Sequence, residues 1–326
     1  MYYPNDIEEI CYDDDHIQQV LAEIKANFYD YFEKFLETEA GNKITRIEFD
    51  KLSSEFGCTN IRITKKKINK AKVLKQIIDE SIEMFERDRQ KYLDILNEET
   101  LEEYEDDPSN FKNSVLRNEC PIIRLTLQNK KAKELDKYRY EFRCSEPNEL
   151  LKVVKNLVSF ANKYMKNIYD EDKYESITKF KELKLSELDT EDYTVFGVIG
   201  GGIKSHFLYK LYPAVFSNRS REAIWALWYL TNKKTFNCTQ DSEFLMINLK
   251  DNTTQQNYFY PYELFSFYVY NIYLLLKKEA ERLGVYIDKE YRYVLVDSFL
   301  SFVAQEHANE IDELKRKVKD DIHGYY

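Results

Sequence analysis

Residues Gly197–Thr235 read GVIGGGIKSHFLYKLYPAVFSNRSREAIWALWYLTNKKT, and this stretch organises the rest of the chain. It holds four of the eight glycines and both tryptophans. Its six basic residues are Lys204, Lys210, Arg219, Arg221, Lys233 and Lys234, and its one acid is Glu222. A basic island inside a chain of net charge −10 needs a physical reason. Two are open. Three consecutive glycines let helices approach closely, with Trp225 and Trp228 filling the core beneath. They also let backbone N–H groups crowd at a helix start, where the helix dipole and Lys204 favour an anion. Arg219 and Arg221, at the start of the next helix, oppose its dipole unless an anion is present.

The 326 residues suffice for one large domain or two ordinary ones. Only 8 glycines and 6 prolines argue against a turn-rich β-sandwich and favour helices. The expected fold is therefore mostly α with a small β element. Residues 1–115 form a charged N-terminal helical region, and 116–326 a mainly helical core with a short β-hairpin and the glycine segment. The cysteines at 11, 58, 120, 144 and 238 contain no C-x-x-C pair, a spacing that suits a reducing compartment and gives no zinc site. The acidic opening MYYPNDIEEI is no secretory signal, and Leu264–Leu276 is too short to span a membrane. A cytoplasmic protein with no membrane partner and no cofactor is expected.

Outward from the glycines, the helix signals are plain. Ile17, Val20, Leu21, Ile24, Phe28, Tyr31, Phe32 and Phe35 recur at three and four behind Asp13–Asp15. A break is expected at Gly41–Thr64, then a basic run from Arg62 to Lys75, a helix to about Leu96, and an acidic block over Asp94–Asp107. Pro108–Pro121 reads as a linker. Ile122–Leu127 and Tyr138–Arg143 read as the two strands of the hairpin, the second by its alternation. Ser145 and Pro147 open a helix to about Ile168, a helix is expected near Ile177–Leu188, and Glu243–Leu249 reads as a buried strand. Tyr262–Leu283, apolar nearly all round, is a core helix, and the last helix runs from about Tyr291 to Lys319. The turn Gln255–Pro261, rich in amides and aromatics, suits either stacking on a base or satisfying its own backbone.

The glycines fit neither the P-loop nor the dinucleotide spacing. Gly200-Gly201-Gly202-Ile203-Lys204-Ser205 instead resembles the hairpin of helix-hairpin-helix DNA-binding proteins, the DNA-glycosylase superfamily among them, which commonly reads G-[VI]-G-x-[KR]-[TS]-A. The resemblance covers one short segment. It implies that Gly200, Gly202, Lys204 and Ser205 contact a DNA phosphate gripped by the hairpin's backbone amides; His206, Arg219 and Arg221 join them as candidate contacts from their own positions, not from the resemblance. His206 stands where that family has a small residue. No aspartate lies between Gly197 and Cys238, so base-excision chemistry is not implied.

For metal chemistry the candidates are Asp241, Glu243, Asp297 and His307, with Glu310 one turn beyond the histidine. The nuclease pattern E-x-K is broken, because Phe244 and Leu245 follow Glu243. These readings lead to a non-catalytic, DNA-associated bacterial protein that binds duplex phosphate through the glycine hairpin and adjacent arginines. The alternatives are a protein–protein adaptor subunit of a bacterial, defence-type complex, and a metal-dependent nuclease.

Overall fold

The computed structural model describes residues 7–55, 69–130, 132, 135–239, 241–247 and 260–319, with only the backbone course described for 38–55 and 318–319. After a 3-10 turn at Glu9–Tyr12, helix α1 runs Asp14–Glu55 and α2 Lys70–Ile95. Short helices α3 (Glu98–Glu103) and α4 (Pro108–Asn110) lead into a π-helical stretch, Phe111–Glu119. Then come α5 (Pro121–Gln128), α6 (Asp136–Cys144), α7 (Pro147–Asn167) and α8 (Glu171–Tyr174). The second half carries α9 (Gly201–Leu211), α10 (Arg221–Leu230), α11 (Tyr262–Arg282), α12 (Arg292–Glu306) and α13 (Ala308–Lys319).

The arrangement follows from which helices lack a solvent face. Ala223–Leu230 of α10 are all buried, so α10 must be enclosed. Its start is fixed by Ser220, whose side chain accepts a hydrogen bond from the Ala223 N–H at 3.0 Å. α12 packs against α10, α2, α11 and α1, and α9 packs against α2 and α7. At the head of α12, Arg292 is fully buried. Its guanidinium donates to the Ala214 carbonyl, lies 4.5 Å from the Tyr174 ring centroid and 5.1 Å from that of Tyr273, and meets Glu175 at 3.7 Å. The buried side chains of 1–115 and 116–326 belong to one continuous cluster; Phe28 of α1, for example, packs on Phe299 of α12.

Several expectations are corrected. The protein is mostly helical, but no strand occurs among the described residues; the nearest feature is one antiparallel bridge, Val195–Ile199. The expected hairpin is two helices, α5 and α6. Pro121 sits in the first turn of α5, and in α6 Tyr138 and Phe142 stack one helical turn apart, with ring centroids at 6.5 Å. Their i,i+4 spacing satisfies a helix as well as a strand. The expected strand at Glu243–Leu249 is a turn and irregular chain over its described part, residues 243–247.

Gly41 does not stop α1, and the expected linker is α4 and the π-helical stretch. Glu146, rather than Ser145, occupies the N-cap of α7. The helix expected near Ile177–Leu188 is two 3-10 turns, Phe180–Leu183 and Ser186–Asp189, and the last helix is broken at His307. Arg62–Lys67 and Gln255–Phe259 lie outside the described residues.

Gly197 and Gly284 both have left-handed backbones, at φ +74° and +70°. A side chain at either costs about 1–2 kcal/mol. Only at Gly197 does an added methyl run into another side chain, 2.7 Å from Cγ of Glu141. Gly197→Ala should therefore lower the urea midpoint further than Gly284→Ala; equal midpoints would contradict this packing.

Candidate functional site

The glycine segment turns through the Val195–Ile199 bridge, where Ile199 N–H donates to Val195 O at 2.8 Å, and Gly200 becomes the N-cap of α9. No side chain caps this helix start, and Gly201 and Gly202 are partly exposed. The flanking side chains turn inward. Lys204 is buried and its ammonium donates to the Leu188 carbonyl; burial lowers its pKa to about 8. Ser205 is also buried, donating to Gly202 O and accepting from the Arg219 N–H, each at 3.0 Å. The buried Arg219 guanidinium lies directly against Gly201, where a Cβ would sit 2.2 Å from Nη1. A side chain at Gly201 would therefore have to displace the Arg219 guanidinium.

One turn along α9, His206 leaves this cluster and faces a cleft of about 1030 Å³ lined from α1, α2, α9, α10, α12 and α13. His206 shares a hydrogen bond with the Tyr92 hydroxyl at 3.1 Å, and that hydroxyl also accepts the Ile122 N–H. Burial, aided by nearby Lys210, depresses the His206 pKa to about 4, so its ring is neutral. Asp297, also on the wall, accepts from Asn218 Nδ2 at 3.1 Å. Burial is the main cause that lifts its pKa to about 7; Glu222 adds to the rise and the Asn218 bond opposes it. Lys210 is held by Asp88 at 2.7 Å and by the Phe85 carbonyl.

Of the residues singled out in the sequence, the cleft therefore collects His206, Arg221 and Asp297. Gly200, Gly202, Lys204, Ser205 and Arg219 gather at the α9 start instead. Glu243 is buried, bonded to His16 at 2.8 Å and Tyr260 at 2.7 Å. His307 bonds the Tyr31 hydroxyl at 2.7 Å and stacks on Tyr229, with centroids 3.6 Å apart. Asp241 bonds its own neighbour, accepting from the Ser242 N–H at 2.7 Å. Asp241, Glu243, Asp297 and His307 do not assemble into a shared ion site; among the described residues, only Cys11, His16 and Cys238 lie close enough to do so. Asn218, Asp88 and Tyr92 were not singled out in the sequence, because their partners lie far away along the chain. The chain matches no family model, no curated protein and no solved structure.

The two titrating groups tilt stability in opposite directions. Asp297, raised from its usual 3.8 to about 7, keeps a proton that the unfolded chain has released, so it withdraws stability as pH rises through that window. His206, depressed from 6.5 to about 4, refuses a proton that the unfolded chain accepts, so stability is lost as pH falls through its own window. Asp297→Asn removes the first and leaves the second. Between those limits the variant should gain stability on the parent as pH rises, read from urea midpoints across a pH series. A pH-independent difference would contradict the assignment.

Proposed function

We propose that the chain is a non-catalytic adaptor whose cleft holds a basic, amphipathic segment of a partner protein. The observation that carries this reading is the lining itself. Carboxylates Glu80, Glu222, Glu306 and Asp312 outnumber Arg221 and Lys315; Lys210 is paired with Asp88, Asp312 meets Lys315 at 3.3 Å, and Asp297 carries only part of a charge near neutral pH. Apolar side chains, including Met84, Trp225 and Phe302, share the same wall. With a chain of net charge −10 behind it, such a surface repels a phosphate backbone and attracts cations. A helix with one apolar and one lysine-rich face satisfies both parts of the lining.

Fluorescence anisotropy with a synthetic Lys/Leu amphipathic helix and a Glu/Leu helix of the same apolar face tests this. The basic peptide should bind, weaken with salt, and lose about tenfold or more in the Glu306→Lys/Asp312→Lys variant. No binding by the basic peptide, or equal binding of the acidic one, would refute it.

A second reading, duplex-phosphate binding through the glycine hairpin, is favoured by the uncapped, partly open start of α9 beneath the Arg219 guanidinium. Gly202 has room for a side chain, its nearest neighbour being Arg219 O at 3.9 Å from an added Cβ. Gly202→Asp would then place a carboxylate where the phosphate is expected, without disturbing the fold. Salt-sensitive duplex binding lost in this variant supports the reading; no binding by the parent removes it. The nuclease reading has no such observation behind it, since its candidate acids sit apart.

A further inference from the structure

Outside the cleft, two segments far apart in sequence meet at sulfur and imidazole. Cys11 lies on the opening 3-10 turn, His16 in the first turns of α1, and Cys238 in the turn that follows α10. That turn runs through four left-handed residues, Asn232, Lys233, Phe236 and Asn237, at φ 50°, 61°, 49° and 69°. One ligand atom from each of the three side chains lies within 4.8 Å of the others. Glu8 ties the two chain segments together beside them, its Oε2 accepting from the Thr239 N–H at 2.9 Å and the hydroxyl at 2.8 Å.

The sulfur spacing fits a shared metal ion as well as a thiol contact. The Cys11 and Cys238 sulfurs are 3.7 Å apart. A disulfide needs about 2.05 Å. Two thiolates on a tetrahedral zinc ion, each at about 2.3 Å from the metal, stand about 3.8 Å apart. His16 is only 3% exposed. Its Nε2 meets Glu243 Oε1 at 2.8 Å, and the Phe236 backbone also acts on the buried ring. The other Glu243 oxygen accepts from the Tyr260 hydroxyl at 2.7 Å, which fixes the carboxylate. A carboxylate that takes one ring N–H of a histidine is the arrangement by which proteins orient a metal-binding imidazole.

We propose that Cys11, His16 and Cys238 bind one zinc-class divalent cation, with Glu243 as the positioning residue for His16. Thiolate and imidazole together select a borderline-soft metal over magnesium or calcium. Cys238 is the partly exposed member, so solvent reaches the cluster from its side. Without metal, burial disfavours a charged His16, but the Glu243 carboxylate outweighs it and raises the pKa, with the Phe236 backbone also favouring the charged ring. Metal uptake displaces that proton.

The test is a Co(II) titration of the full, metal-free chain kept reduced with a phosphine. The expected result is one equivalent bound, with tetrahedral d–d bands and a thiolate-to-cobalt charge-transfer band, all displaced by Zn(II). Cys238→Ser, an isosteric change at the more exposed ligand, should abolish the stoichiometric charge-transfer spectrum. Glu243→Gln should weaken binding on the order of 10–100-fold. Lack of a Co(II) spectrum in the parent overturns the proposal, as does a spectrum unchanged in the Cys11→Ser/Cys238→Ser variant. Loss of two thiols to a disulfide on air oxidation, with no Co(II) bound by the reduced chain, overturns it in favour of a redox pair.

Discussion

A guanidinium with no exposure to water sets the terms for this fold. Arg292 stands at the first position of α12, fully buried, and a charge in that place costs several kcal/mol unless its surroundings compensate. Compensation comes from separate parts of the chain: the Ala214 carbonyl, the rings of Tyr174 and Tyr273, and the Glu175 carboxylate. Glu175 is itself engaged by the Tyr273 hydroxyl at 2.5 Å and by Lys277. Next along the helix, the Tyr293 N–H donates to Pro213 O and its hydroxyl meets that of Tyr174 at 2.6 Å. The loop after α9, the α8 region and α11 are thereby fixed to one helix end.

From that anchor α12 runs between α10, α2, α11 and α1, and the cleft opens along its length towards α13. The break between α12 and α13 falls at His307, whose ring is held by Tyr31 of α1 and stacked on Tyr229 of α10. His307 thus sets the angle at which α13 leaves, while its neighbours Glu306 and Ala308 line the cleft. Its neighbour Glu310 binds Lys233, which tightens the same corner. A histidine that reads as a metal or proton-transfer candidate in sequence is used here to join three helices.

The sequence made α7, α10 and α11 legible because their apolar positions exceed what any alternative could bury. It misled at α5 and α6. There, runs of six residues fit periods of 2 and 3.6 equally, and Tyr140 of the supposed strand face is in fact exposed. Pro121, a helix-start signal, decided the matter physically. Gly41 looked like a stop but costs a long helix only about 1 kcal/mol. The glycine cluster drew attention to the right region for a partly different reason, since Gly201 yields space to Arg219. The cleft was hardly legible at all. Its walls come from helices that no local pattern links, and the cysteine–histidine cluster joins positions 11 and 238, a pairing that spacing alone cannot reveal.

Native-state hydrogen exchange in low denaturant tests most directly whether one enclosed helix, α12, holds the N-terminal region and the core in a single body. The expected result is that amides of α1 between Val20 and Leu36 exchange with the same opening free energy as those of α10 and α12. If α1 and α2 open at far lower cost while α10–α12 stay protected, the chain consists of a separable arm and core, and the account built on α12 is wrong.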